Sequence, residues 1–172
     1  MDVEWRPFYL RPDTPPEGME LPEYIVRARA SGSEERLEQM ANMYGMKFMS
    51  TKRIYNTRLA HEATEFAREH GKANEFHHVV FRKVYADGLD IGTWDALRAA
   101  AQEVGLDPQE MQQVVESGKY TAEVAAQVQE AYQIGVSGVP TYVIDNKYAL
   151  VGAQPYEVFQ RALAKIMKEN GR

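Results

Sequence analysis

The sequence predicts a mixed α/β fold: one strand, a large all-helical block, two more strands and a closing helix. Three observations carry this. VEWRPFYL (3–10) interleaves β-branched and aromatic residues with Glu4 and Arg6, the pattern of a half-buried strand. For more than a hundred residues after it, apolar side chains recur at helical rather than alternating spacing. Near the end, TYVI (141–144) and YALVG (148–152) flank Asp145-Asn146-Lys147 and read as an antiparallel hairpin.

Taken in order, Pro7 marks the first strand as an edge strand, because proline has no N–H to give to a ladder. RPDTPPEG (11–18) is a proline-rich loop closed by glycine. Ser31 or Ser33 then caps a helix through about Tyr44. Helical spacing recurs over 57–70 and 72–86, and Thr93 caps the next helix. Asp107-Pro108-Gln109-Glu110 is a strong helix start: a capping carboxylate, proline at the first helical position and glutamate two residues on. Residues 120–134 complete the block. After the hairpin, whose first strand reads as buried, Pro155 starts a helix with two apolar rows, Val158, Ala162, Ile166 and Phe159, Leu163, Met167.

Composition narrows the function. At 172 residues the chain suits one well-packed domain, and 44% apolar with 26% charged residues is ordinary for a globular protein. A net charge of −5 without a basic stripe speaks against nucleic acid. No stretch approaches the roughly 20 apolar residues of a membrane span, and the first residues carry no targeting pattern, so a cytoplasmic location is expected. There is no cysteine, so neither thiolate catalysis nor Cys-ligated metal belongs to these residues.

Conventional catalytic motifs fail one by one. His61-Glu62-Ala63-Thr64-Glu65 has glutamate where a zinc-binding helix needs its second histidine, and a solvated helix face is expected instead. His77 and His78 point about 100° apart on a helix and do not share a metal without further ligands. Gly135-Val136-Ser137-Gly138-Val139 misses the nucleophile elbow at its last position and leads into a strand rather than out of one. No catalytic residue, metal ligand or cofactor site is assigned.

Val139-Pro140 is different. Proline at the mouth of a strand is either an ordinary trans loop proline or a cis proline forming a specific turn, and the tripeptide alone leaves both open. The wider context is informative. GVSGVPTYVIDNKYALVGAQPYEVF (135–159) resembles the C-terminal end of DsbA-like thioredoxin-fold proteins, in particular the FrnE-type branch. VEWRPFYLRPDTPPEGM resembles that family's second strand and following loop. Asn56-Thr57 with Ala60-His61 resembles the start of the returning helix of its helical insertion.

The resemblance implies an incomplete thioredoxin-like fold of about three strands with a large all-helical insertion. It forms one DsbA-like domain over 1–172, with 1–18 and 135–172 as the thioredoxin-like part and 19–134 as the insertion. It makes Pro140 the cis proline and assigns Gly138, Val139, Pro140 and Thr141 as ligand-binding residues, with Val139 meeting substrate through its backbone. Family members begin with a strand and a helix bearing Cys-x-x-Cys. The chain has no counterpart of either, which implies a member of the disulfide oxidoreductase family that is redox-inactive as it stands.

The alternatives are a peptide- or small-ligand-binding module on the cis-proline face, or a relative of 2-hydroxychromene-2-carboxylate isomerase and kappa glutathione transferase. The last is disfavoured because Gly152 is followed by Ala153-Gln154-Pro155 rather than serine or glutamine and then aspartate. Without the first strand, Trp5 and Phe8 lose their cover. Three remedies are expected: pairing of 3–10 with the cis-proline strand, strand exchange in a homodimer, or a strand-complementing partner.

Overall fold

The structure, a computed structural model, describes residues 3–169. Met1 and Asp2, which entered the reading of the first residues, lie outside them. The chain divides into two compact units, residues 1–128 and 129–172. In the first, β1 (Met19–Glu20) and β2 (Arg53–Ile54) form a short antiparallel ribbon. Between them run α1 (Glu23–Ala28), a kink over Arg29–Ser33 where Gly32 has φ 89°, and α2 (Glu34–Met43). Then come α3 (Arg58–Glu69), α4 (Ala73–Tyr85), α5 (Trp94–Glu103) and α6 (Pro108–Glu116), and α7 (Thr121–Gln133) crosses the division. The second unit adds β3 (Thr141–Ile144), β4 (Tyr148–Val151) and α8 (Tyr156–Glu169). Among the described residues no helix is long and apolar enough to cross a membrane.

The core of the first unit is built on α3, which packs against α4, α5 and α6. Ala60, Ala63 and Ala67 line α3, and Ala100 and Ala101 line α5, all buried. Small side chains let helix axes come close, and Phe66, Phe76, Leu97, Met111 and Tyr120 fill the remaining volume. Gly18 admits the chain to the β ribbon. Its φ is 74°, and a Cβ there would stand 2.5 Å from the Ile54 carbonyl oxygen.

The expected solvated face on α3 is not what folds. Glu62 and Glu65 are buried, and each carboxylate is held by donors. Glu62 accepts from Arg58 at 3.1 Å and from the Thr121 hydroxyl at 3.0 Å; Glu65 accepts from Arg68 Nε at 2.8 Å. A buried carboxylate is tolerable only with such partners.

Residues 3–10, expected as a strand, form none and do not pair with β3. A strand needs a neighbouring backbone about 4.8 Å away with free N–H and C=O groups, and helix flanks offer none. The segment is held by side chains instead. Arg68 donates to the Trp5 carbonyl at 2.7 Å, and the Trp5 ring stacks on His77 at 3.7 Å. Trp5 and Phe8 are therefore half-buried rather than uncovered. Residues 3–18, grouped by resemblance with 135–172, fall in the first unit. Along α4 the stacking continues from His77 to Phe81 and Tyr85, with centroids 4.4 and 5.8 Å apart, and Phe48 stacks on Tyr85.

Helix starts are also partly corrected. Asp107 Oδ1 accepts from the Gln109 and Glu110 amides, as its sequence foretells. Thr93 and Ser33 occupy N-cap positions without capping, because their hydroxyls donate backwards to the Asp90 and Ala28 carbonyls.

His61 bonds to the Phe8 backbone, and its Nε2 is shut away from solvent, so burial lowers its pKa to about 4. Burial against Trp5 lowers His77 likewise to about 4, with His78 and His61 adding repulsion. The unfolded chain takes up these protons near pH 6.5, before the folded one does. Stability is therefore complete above pH 6.5 and falls as pH drops toward 4. Urea unfolding should show a loss of about 2 kcal/mol from the buried His61 and less from the part-exposed His77, roughly 3 kcal/mol together, between pH 7 and 5. Replacing His77 with glutamine should lessen that slope while leaving the part due to His61, and an unchanged slope would disprove the assignment of His77.

Candidate functional site

The candidate site is the β3–β4 hairpin and the segment that leads into it. α7 ends in a left-handed glycine cap. Gly135 has φ 85°, its amide donates to the Tyr132 carbonyl, and the Val136 amide donates to Ala131. The chain then turns through Ser137 and Gly138 to Val139–Pro140, whose peptide bond is cis. The Thr141 hydroxyl donates to the Gly138 carbonyl at 2.7 Å and ties the two ends of this turn together. Asp145 and Asn146, with φ of 52° and 51°, form the tight turn between the strands, closed by Lys147 N–H donating to the Ile144 carbonyl. Left-handed values at both central residues match the twist of a hairpin.

The register fixes which backbone groups are free. Thr141 pairs with Val151, Tyr142 with Leu150, Val143 with Ala149 and Ile144 with Tyr148. The Gly152 amide donates to the Pro140 carbonyl at 2.8 Å, so Pro140 belongs to the set that faces β4. In an antiparallel ladder that orientation alternates. Tyr142 and Ile144 therefore bond to β4, while Thr141 and Val143 turn their N–H and C=O groups to the opposite edge. No strand pairs with that edge among the described residues. Pro140 thus ends the ladder on the β4 side, where its missing N–H costs one bond.

The strand was expected to be buried, but Tyr142 and Val143 are 39% and 45% exposed. Val139 is exposed as well. On one side Tyr142 meets Phe159 of α8 edge-to-face, centroids 4.7 Å apart, and Ile166 is the buried anchor of α8. The four residues assigned from the sequence are contiguous and sit at the open end of β3. Sequence reasoning missed Val143, because its membership follows from the alternation that starts at the Pro140 carbonyl.

A family model described as a DSBA-like thioredoxin domain matches residues 1–164. The chain belongs to the DSBA-like thioredoxin domain family. A curated relative, the uncharacterised protein YwbO of Bacillus subtilis, is 28% identical over 172 residues, covering 98% of this chain and 84% of that protein. The crystal structure of the probable DsbA oxidoreductase SCO1869 from Streptomyces coelicolor superposes with a TM-score of 0.86 at 29% identity, over 95% of this chain and 74% of that one. A 2-hydroxychromene-2-carboxylate isomerase superposes with a TM-score of 0.71 over 85% of this chain and 71% of its own, and at 20% identity it shows a shared fold.

Elsewhere a depression lies between α5 and α6, lined by Asp95, Arg98, Gln102 and Asp107. Arg98 there is already bonded to Asp95 and Gln112. No cluster of three metal-ligating side chains occurs among the described residues.

The Thr141 hydroxyl bond can be tested directly. Thr141→Val keeps shape and β propensity but removes the donor to Gly138. Unfolding free energy should drop by about 1 kcal/mol, and amide exchange should quicken at residues 137–141 while the α3–α4 core stays protected. Unchanged exchange at 137–141 would show that the hydroxyl does not hold this turn.

Proposed function

We propose that these residues form a DsbA-like scaffold of the disulfide oxidoreductase family, on its FrnE-type branch, which holds extended polypeptide at the open edge of β3. Val139, Thr141 and Val143 supply the backbone partners, Gly138 gives clearance beside them and Pro140 sets the end of the strand. The observation that carries this is the free edge: Thr141 and Val143 present unpaired amides and carbonyls next to exposed apolar side chains. An extended peptide satisfies such an edge by adding a strand.

Thiol–disulfide exchange needs a thiolate to attack a disulfide sulfur. Residues 1–172 hold no cysteine, so the scaffold binds and does not exchange. The Streptomyces neighbour, a probable DsbA oxidoreductase, supports the family part of this reading, and the open strand edge supports an extended polypeptide as the partner. A small ligand of the isomerase kind is the second reading, supported by the shared fold alone.

Two measurements test the reading. In isotope-labelled protein, a cysteine-free extended peptide should shift the amides of Val139, Thr141 and Val143 while leaving those of α4 in place. Still amides along β3 would end the proposal. Val143→Pro removes an N–H from the open edge and none from the β4 ladder, so the hairpin should persist while peptide affinity falls at least about tenfold. The same protein should leave dithiothreitol-driven insulin reduction at its uncatalysed rate.

A further inference from the structure

α2 is an amphipathic helix whose apolar side faces solvent. At 100° per residue, Leu37, Met40, Met43 and Tyr44 fall within an arc of about 120°. All four are exposed, Met43 to 75% and Tyr44 to 73%, and Ala41 alone in the helix is buried. Two more exposed methionines follow the helix in the sequence. The Met46 amide donates to the Ala41 carbonyl, the Met49 amide donates to the Tyr85 carbonyl, and both methionine side chains are exposed. Contiguous apolar surface of this kind marks an interaction site, and methionine suits a surface that must mould to a partner.

The arc carries one charge. Arg36 stands one turn before Met40 and Tyr44 one turn after it. Arg36 donates from Nε to the Gly32 carbonyl and has no ion pair among the described residues. Glu34, Glu35 and Glu38 lie off the arc. If a second copy of α2 crosses antiparallel with the two-fold axis at Met40, each Arg36 meets the other copy's Tyr44 ring and each Leu37 meets the other copy's Met43. Cation meets aromatic face and apolar meets apolar, twice over, as an isologous contact demands. The helix dipoles also oppose each other favourably.

We propose that α2 is the contact helix of a homodimer of this chain, with Met40 on the two-fold axis. The proposal rests on α2 alone and stands whether or not the β3 edge binds peptide.

The absence of native cysteine makes the test clean. Met40→Cys places one thiol per chain on the proposed axis, where two Cα atoms approach closely enough for a disulfide. Under mild copper-catalysed air oxidation the two thiols give up two protons and two electrons to oxygen. A linked species of twice 19.6 kDa should dominate on a non-reducing gel. Glu35→Cys, on the far side of the helix, should stay unlinked. Met40→Glu should reduce the mass seen by light scattering from two chains to one without loss of helical circular dichroism. Parent protein of single-chain mass in solution, or equal linking at positions 35 and 40, overturns the proposal.

Discussion

Glu62 and Glu65 lie on the same helix with their carboxylates closed off from water, and much of the first unit follows from what they require. Each needs donors, and these come from Arg58, Thr121 and Arg68. Arg68 is the most consequential, because its guanidinium also reaches the Trp5 carbonyl and Glu4. The same group that neutralises a buried acid thereby fastens the start of the chain to α3. Thr121 ties the first turn of α7 to that helix in the same way. Removing one partner would leave a carboxylate uncompensated in the interior, a far larger penalty than the loss of a surface pair.

That arrangement explains why some elements were legible in the sequence and others were not. α3, α4, α7 and α8 announce themselves by spacing because their burial is one-sided and regular. The hairpin is announced by the residues that turn it. Residues 3–10 were misread because alternation of apolar and polar side chains describes a strand and an extended segment lying on helices equally well. What separates the two is a partner backbone, which no local pattern encodes. Glu62 was misread because one of its donors, Thr121, is 59 residues away in sequence, and the β1–β2 ribbon, two residues per strand, is below what periodicity registers.

The candidate site divides along the same line. Gly138 to Thr141 stood out because glycine and proline there constrain the backbone by their own chemistry. The role of Val143 did not, since it depends on counting outward from one hydrogen bond, Gly152 to Pro140. Family likeness supplied the position of the site, and the register supplied its polarity. The exposed face of α2 was hidden for the opposite reason. Its pattern is that of an ordinary core-facing helix, and only three dimensions reveal that Leu37, Met40, Met43 and Tyr44 stay exposed among the described residues.

The free edge of β3 also has a cost unrelated to recognition. Val139 to Ile144 is an uncharged run rich in β-formers. An unpaired edge of such a run is a template on which copies of the chain can stack into fibrils. Segments that stack in this way need about six uninterrupted residues, and Pro140 cuts this one to the four of β3. The proline that closes the ladder is in this sense a gatekeeper, which lets the edge stay sticky for a single strand while denying it the length to propagate.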